Sequence, residues 1–273
     1  MAFFSIDEDV ELYYRDLGHG QPVVFIHGAW MSHRFFQKQT PYFSQTYRSI
    51  SFDLRGHGRS TKVPYGHTVA NYARDLRAFL DGLKLKEAIL VGWSLGGMLI
   101  WEYFNQFGAE NLSGVVIVNQ PASDFRWDDW PQGLVDLSEL RYRMQAIQTD
   151  WASYLNGFIP SMFRHPQSHG EFRWMFEEIT RLPESIAGAI LFDKTLQDYR
   201  PLLSKVSLPT LLCFGAHDKL VPVTAGHQLA AAIPDSRLVI FKDSGHCPFF
   251  EQPDEFNAQV DKFIRAKKET SKE

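Results

Sequence analysis

Cysteine is scarce: the 273-residue chain holds two, Cys213 and Cys247. They lack C-x-x-C spacing and form no disulfide framework, which points to a reducing compartment and a cytoplasmic enzyme or binder. Excess charge is scarce too. Against 28 basic residues stand 32 acidic ones, a formal net charge of −4 that does not suit a nucleic-acid partner. The one basic run, Arg265-Ala266-Lys267-Lys268, closes a C-terminal helix, where it complements the helix dipole rather than binding an anion. No stretch approaches ~18 consecutive apolar residues, so a membrane span is not expected. The opening residues, Met1 to Asp9, have neither the basic leader nor the apolar run of a signal peptide. No grouping of His, Cys, Asp and Glu has metal-ligand spacing, so neither a metal nor another cofactor is expected. Repeats and low-complexity segments are missing, apart from a short polar tail after Ile264.

What is present is a regular alternation. Residues 3–6 and 10–14 read as a hairpin turning at Asp7-Glu8-Asp9. Short runs rich in Val, Ile, Leu and Phe follow at 23–26, 49–52, 88–91, 115–118, 210–214 and 237–241. None alternates with polar residues, which is the pattern of strands covered on both faces. Apolar stripes at helical spacing lie between them: Tyr72, Leu76, Phe79, Leu80 and Leu83, then Phe256, Val260, Phe263 and Ile264. Strands alternating with helices predict an α/β fold with a mostly parallel, doubly wound sheet.

The alternation fails once, between Val118 and Thr210. Helical spacing there covers 134–148, 151–163, 171–181 and 183–199, with four of the seven tryptophans (Trp127, Trp130, Trp151 and Trp174). The reading is a helical cap over 122–200, inserted between core segments 1–121 and 201–273, above the carboxyl ends of the strands where such sheets bind ligands. Most of its aromatic residues are expected to fill the cap's own small core.

One strand runs directly into chemistry. Ala88-Ile89-Leu90-Val91 leads to Gly92-Trp93-Ser94-Leu95-Gly96-Gly97 and then a helical segment from Met98. G-x-S-x-G between strand and helix presents a serine on a sharp turn. Gly92 and Gly96 flank it with almost no side chain, Gly97 lets the helix approach the sheet, and the helix N-terminus favours developing negative charge. A serine hydroxyl needs a base, and the base needs an orienting carboxylate. In chain order the candidates are Asp218, after the strand at 210–214, and His246, after the strand at 237–241. Asp124 is an alternative acid. His57 and Arg55 read as a structural turn, because the G-x-x-x-x-G-K-[S/T] phosphate loop is absent. His217, Asp243 and Glu251 read as loop-shaping residues, and Cys247 as a packed thiol.

These motifs, with Phe25-Ile26-His27-Gly28-Ala29-Trp30 and Phe52-Asp53-Leu54-Arg55-Gly56-His57-Gly58-Arg59-Ser60, resemble the α/β-hydrolase superfamily over nearly the whole chain. Within it the chain is similar to bacterial capped serine esterases, lactonases and cofactor-free haloperoxidases. The resemblance implies an α/β-hydrolase fold with a helical cap, a structural role for His27, and an oxyanion hole made by the backbone N–H groups of Ala29 and Leu95. Trp30, Trp93, Ala122 and Phe249 are the candidate substrate contacts, in an apolar pocket with few charges.

The serine prunes the family. Relatives that open haloalkanes or epoxides carry aspartate at the elbow. The expected substrate is therefore a small hydrophobic carboxylic ester or lactone, acylated homoserine lactones included. Haloperoxidase-like relatives commonly have His-Gly-Trp-Pro and Ser-Met-Gly-Gly where this chain has His-Gly-Ala-Trp and Ser-Leu-Gly-Gly. Carbon–carbon bond hydrolases and hydroxynitrile lyases share the triad and stay open as alternatives. So does a ligand receptor on the same scaffold, which slow single-turnover modification of Ser94 without a steady state would reveal. The oligomeric state is not legible in the sequence.

Overall fold

The eight apolar segments assemble into one sheet. In the computed structural model, which describes residues 2–131 and 133–270 and side chains as far as residue 266, the hairpin is β1 (Ala2–Ser5) and β2 (Glu11–Leu17). The remaining strands are β3 (Pro22–Ile26), β4 (Arg48–Phe52), β5 (Ala88–Trp93), β6 (Leu112–Val118), β7 (Thr210–Gly215) and β8 (Ser236–Phe241). Their order is β1-β2-β4-β3-β5-β6-β7-β8. The pairs β1–β2 and β2–β4 are antiparallel and the rest are parallel. Every residue of β3, β5 and β7 is buried. Strands covered on both faces have no solvent side to make polar, hence the missing alternation.

Helices flank the sheet. They are α1 (Gln39–Phe43), α2 (Val69–Gly82) and α3 (Leu95–Phe107) in the first half of the chain. The second half of the sheet carries α8 (Val223–Ala232), α9 (Pro248–Glu251) and α10 (Pro253–Thr270). The stripe of α2 seats Phe79 on Phe52 of β4, the rings stacked 4.8 Å apart. The last helix runs to Thr270, beyond the expected start of a polar tail at Ile264, because no Gly or Pro interrupts it. Arg265 and Ala266 lie within it, whereas the side chains of Lys267 and Lys268 fall outside the described residues.

Between β6 and β7 come α4 (Leu137–Thr149), α5 (Trp151–Ser161), α6 (His169–Ile179) and α7 (Glu184–Thr195). Three of them begin at side-chain caps. Asp136 accepts from the Glu139 N–H, Asp150 from the Ser153 N–H, and Ser168 forms a capping box with Glu171. Their aromatic residues do more than fill a core of their own. Trp151 packs edge-on against Trp30 at 5.1 Å, and Trp174 against Phe35 at 5.0 Å, with the Arg34 guanidinium over its ring. Each joins the inserted helices to the loop that follows β3.

The strand order locates the crevice. From β3 the chain proceeds to β4 on one side and, through α2, to β5 on the other, so the connections after β3 and β5 part in opposite directions. Ligands of open parallel sheets bind at such a switch point, beyond the carboxyl ends of the strands.

Candidate active site

Ser94 is the first residue beyond β5, with φ 52° and ψ −119°. A side chain in this left-handed region costs about 1–3 kcal/mol and persists only when its surroundings enforce it. The enforcement is visible. The Ser94 N–H donates to the Val118 carbonyl (3.0 Å), and its own carbonyl accepts from the Gly97 (2.7 Å) and Met98 (3.2 Å) N–H groups, starting α3. A Cβ on Gly92 would strike the Gly96 carbonyl, and one on Gly96 would strike the Ile26 carbonyl. A Cβ on Gly97 would come within 2.9 Å of Gln120 Cβ. The glycines of the motif are therefore set by close packing of strand, turn and helix.

His246 and Asp218 meet on the loops after β8 and β7. The His246 Nδ1 and Asp218 Oδ2 are 2.7 Å apart, both side chains being almost wholly buried. The other Asp218 oxygen accepts from the Leu220 (2.7 Å) and Val221 (3.0 Å) N–H groups, so the carboxylate cannot turn. Nδ1–H donating to Asp218 leaves Nε2 as the acceptor. The alternative acid, Asp124, is instead paired with Lys194. His246 itself is held by its backbone: its N–H donates to the Met162 carbonyl (2.7 Å), and its carbonyl accepts from the Trp93 indole N–H (2.9 Å). Glu251 accepts from the N–H groups of Gly245, Arg164 and His165, and Asp243 pairs with Arg164 and His165. Asn119, absent from the sequence-based candidates, joins both loops. Its amide donates to the Gly245 carbonyl (3.3 Å) and accepts from the Gly215 N–H (3.0 Å). No local motif marks it, since its partners lie about a hundred residues away. His217, also expected to shape a loop, is exposed and donates its N–H to the Ser244 carbonyl (2.9 Å).

The loop after β3 is held by two buried histidines. His27 Nδ1 bonds the Gly28 carbonyl (2.8 Å) and its Nε2 accepts from the Leu54 N–H (3.0 Å). His57 Nδ1 bonds the Arg55 carbonyl (3.0 Å) and its Nε2 accepts from the Trp30 N–H (3.1 Å). Both rings must be neutral to accept at Nε2. Burial enforces this, pulling His27 down to about 4 and His57 well below its ordinary value. Trp30 has φ 71°, a second strained residue beside the site. Asp53 clamps the same region, accepting from the His33 N–H (2.6 Å), the His33 ring (2.8 Å) and the Arg59 N–H (2.8 Å). Burial works to raise its pKa, but the His33 contact and charge keep it below the usual carboxylate value. Arg55, a tempting phosphate ligand, is committed to a two-pronged pair with Asp75 (2.9 and 2.8 Å). Cys247 is buried, and burial raises its thiol well above the ordinary value, which removes it as a nucleophile at neutral pH.

Ser94 and His246 open on one space of about 70 Å³. Among the described residues the Ser94 hydroxyl makes no hydrogen bond, which leaves it free to face the space. Gly28, Ala29 and Trp30 form one wall, and Leu134, Tyr154, Phe158, Leu191 and Leu220 contribute apolar surface. The Ala29 N–H has no protein acceptor among the described residues, and Leu95 is the first residue of α3, with no carbonyl one turn before it in the helix. Of the four candidate substrate contacts, Trp30 and Trp93 line the space. Ala122 and Phe249 do not. Ala122 faces a separate cavity beside α8, and Phe249 is fully buried behind Trp93, packed between Phe36 and Phe256. The expectation of few charges is also corrected, because Asp124, Lys194 and Arg143 reach the wall.

Residues 23–259 match the family model described as "Alpha/beta hydrolase family". Among curated proteins, the non-heme chloroperoxidase CPO-A1 of Kitasatospora aureofaciens is 29% identical over 255 residues, covering 90% of this chain and 92% of that one. Among solved structures, bromoperoxidase from Bacillus anthracis superposes with a TM-score of 0.93 at 27% identity, covering 97% and 99% of the two chains. The esterase EaEST from Exiguobacterium antarcticum superposes with a TM-score of 0.92 at 25% identity, covering 96% and 98%. Among the described residues no helix is long and apolar enough to cross a membrane.

Proposed function

This chain belongs to the alpha/beta hydrolase family, and we propose that within it the protein is a serine hydrolase of small carboxylic esters or lactones. One observation carries the reading. A strained serine at a helix N-terminus shares a cavity with a histidine whose far nitrogen is locked to a buried carboxylate. The esterase among the structural neighbours supports it.

In this reading, the Nε2 of His246 takes the Ser94 proton as the hydroxyl oxygen attacks the substrate carbonyl. The N–H groups of Ala29 and Leu95 hold the resulting oxyanion, and each such donor is worth about 2.7–4 kcal/mol to the transition state. His246, now protonated and steadied by Asp218, gives its proton to the leaving oxygen, which departs as alcohol and leaves an acyl-Ser94. Water, deprotonated by the same ring, then releases the acid. In a lactone the leaving oxygen stays attached to the acyl group, and one hydroxy acid results. The inserted helices act as the cap, their Tyr154 and Phe158 meeting Trp30 over the nucleophile. A space of about 70 Å³ is well below the ~300–1,000 Å³ of drug-sized ligand sites, which favours short acyl groups.

The test is a series of aryl esters of increasing acyl length, with lactones followed by acid release in a pH-stat, on wild type and Ser94→Ala. The expected result is turnover that falls with chain length and drops about 10³-fold or more in the variant. Equal hydrolysis by both proteins would remove Ser94 from the mechanism. The haloperoxidases among the relatives favour a second reaction at the same site, in which hydrogen peroxide replaces water on the acyl-enzyme and a peracid leaves. Acetate plus peroxide assayed for peracetic acid tests it directly.

A further inference from the structure

The cavity has a polar side that ester cleavage as such does not require. Asp124, beyond β6, and Lys194, in the last turn of α7, form an ion pair with both side chains largely buried. Gln120 donates to the other Asp124 oxygen (2.9 Å) and to the Pro121 carbonyl (3.1 Å). Gln120 is also the residue against which Gly97 of the nucleophile turn packs, so this group reaches back to Ser94. Next to Lys194, Thr195 is among the residues around the cavity, and its hydroxyl is fully buried and without any hydrogen-bond partner. It does not even take the usual helical option of donating to the carbonyl one turn earlier.

Each feature is unfavourable for an empty pocket. Burying two charges costs desolvation that a hydrophobic pair of the same size avoids. An unpaired buried hydroxyl forfeits the hydrogen bonds it had with water. A ligand oxygen in reach of Lys194 and Thr195 would complete both. Its charge follows from the neighbours: Asp124 already balances Lys194, and Glu139 balances Arg143 at 2.7 Å. No uncompensated positive charge faces the cavity from these pairs, and a carboxylate there would meet Asp124. A neutral oxygen suits the site.

We propose, resting on the ester or lactone hydrolase reading above, that the preferred substrates carry a second, uncharged oxygen function. This is a hydroxyl or keto group near the scissile ester, held by the Lys194 ammonium and the Thr195 hydroxyl. The side chains of Lys194 and Thr195 thus set specificity, and the apolar wall receives the remainder of the substrate.

The experiment compares kcat/KM for matched esters. One pair is an aryl butyrate and an aryl 3-hydroxybutyrate, and the other is propyl butyrate and 2-hydroxyethyl butyrate, with an aryl hemisuccinate as the anionic control. The wild type is expected to prefer the hydroxylated member of at least one pair by about tenfold, the value of one well-made hydrogen bond. Thr195→Val, which keeps the shape, is expected to bring that ratio close to one. It is also expected to melt no lower than the wild type, because the hydroxyl it removes supports nothing in the free protein. Lys194→Met with Asp124→Leu, which removes both charges together, is expected to erase the same preference. Three results would overturn the proposal: equal rates within both pairs, a preference that survives Thr195→Val, or a stronger preference for the hemisuccinate. If no ester is turned over above Ser94→Ala, the hydrolase reading itself fails, which is a separate outcome.

Discussion

Acidification offers a direct test of how the loop after β3 is held. His27 is fully buried, accepts from the Leu54 N–H at Nε2, and has its pKa pulled down by burial to about 4. In the unfolded chain the same ring titrates at about 6.5. Between these values the unfolded state binds a proton that the folded state refuses, so stability rises with pH across the window. The stability is complete above about 6.5 and is lost progressively as pH falls towards 4. From pH 7 to pH 5 the linkage integral for this one group is about 2 kcal/mol, at a slope approaching 1.4 kcal/mol per pH unit. His57, depressed by burial in the same direction, adds to the loss. Asp75 and Asp193, raised by burial, work against it, so the wild-type slope alone does not isolate His27. Urea unfolding of wild type and His27→Gln at half-unit steps between pH 7 and 5 does. The variant is expected to be less stable at pH 7, because the Leu54 and Gly28 contacts are disturbed. Its slope should be shallower by about 0.7 proton averaged over the window, rising to about 0.9 at the acid end. Parallel curves would show that His27 is not held neutral, and the account of the loop would fail with it.

Two further outcomes follow from the same geometry. In Asp218→Asn, the amide oxygen is needed by the Leu220 and Val221 N–H groups, which turns the NH₂ towards His246. An NH₂ facing Nδ1 moves the ring proton to Nε2, where it blocks proton uptake from Ser94. Steady-state rates are expected to fall about 10⁴-fold in kcat with little change in KM, and a loss below tenfold would refute the tautomer argument. Ser94→Gly relieves the strain at φ 52° whereas Ser94→Ala keeps it. Strain relief of about 1–3 kcal/mol, less about 1 kcal/mol of added chain entropy, leaves Gly ahead of Ala by about 1 kcal/mol. Thermal melting should rank the two in that order, both being inactive, and the reverse order would mean that the turn is not strained.

Which parts of this protein its sequence determines follows from the range of the forces involved. The strands at 23–26, 88–91 and 210–214 were legible because burial on both faces demands continuous apolar runs. The turn around Ser94 was legible because its residues stand together in the chain between a strand and a helix, although only Gly92 answers a neighbour in the turn, whereas Gly96 and Gly97 answer Ile26 and Gln120 on other segments. Chain order brought Asp218 and His246 forward, and their side chains meet at 2.7 Å. Tertiary packing alone decided what lines the cavity. Phe249 and Trp93 looked equivalent in the sequence as aromatic residues beside the motifs, yet Phe249 packs behind Trp93 and never reaches the space. Asp124 was legible as an acid, but its partner Lys194 is 70 residues distant, and no spacing rule connects a loop after β6 to the last turn of α7. Asn119 joins loops about a hundred residues away for the same reason. Local patterns record what the backbone must do, whereas the polar side of the cavity exists only once segments remote in the chain are pressed together.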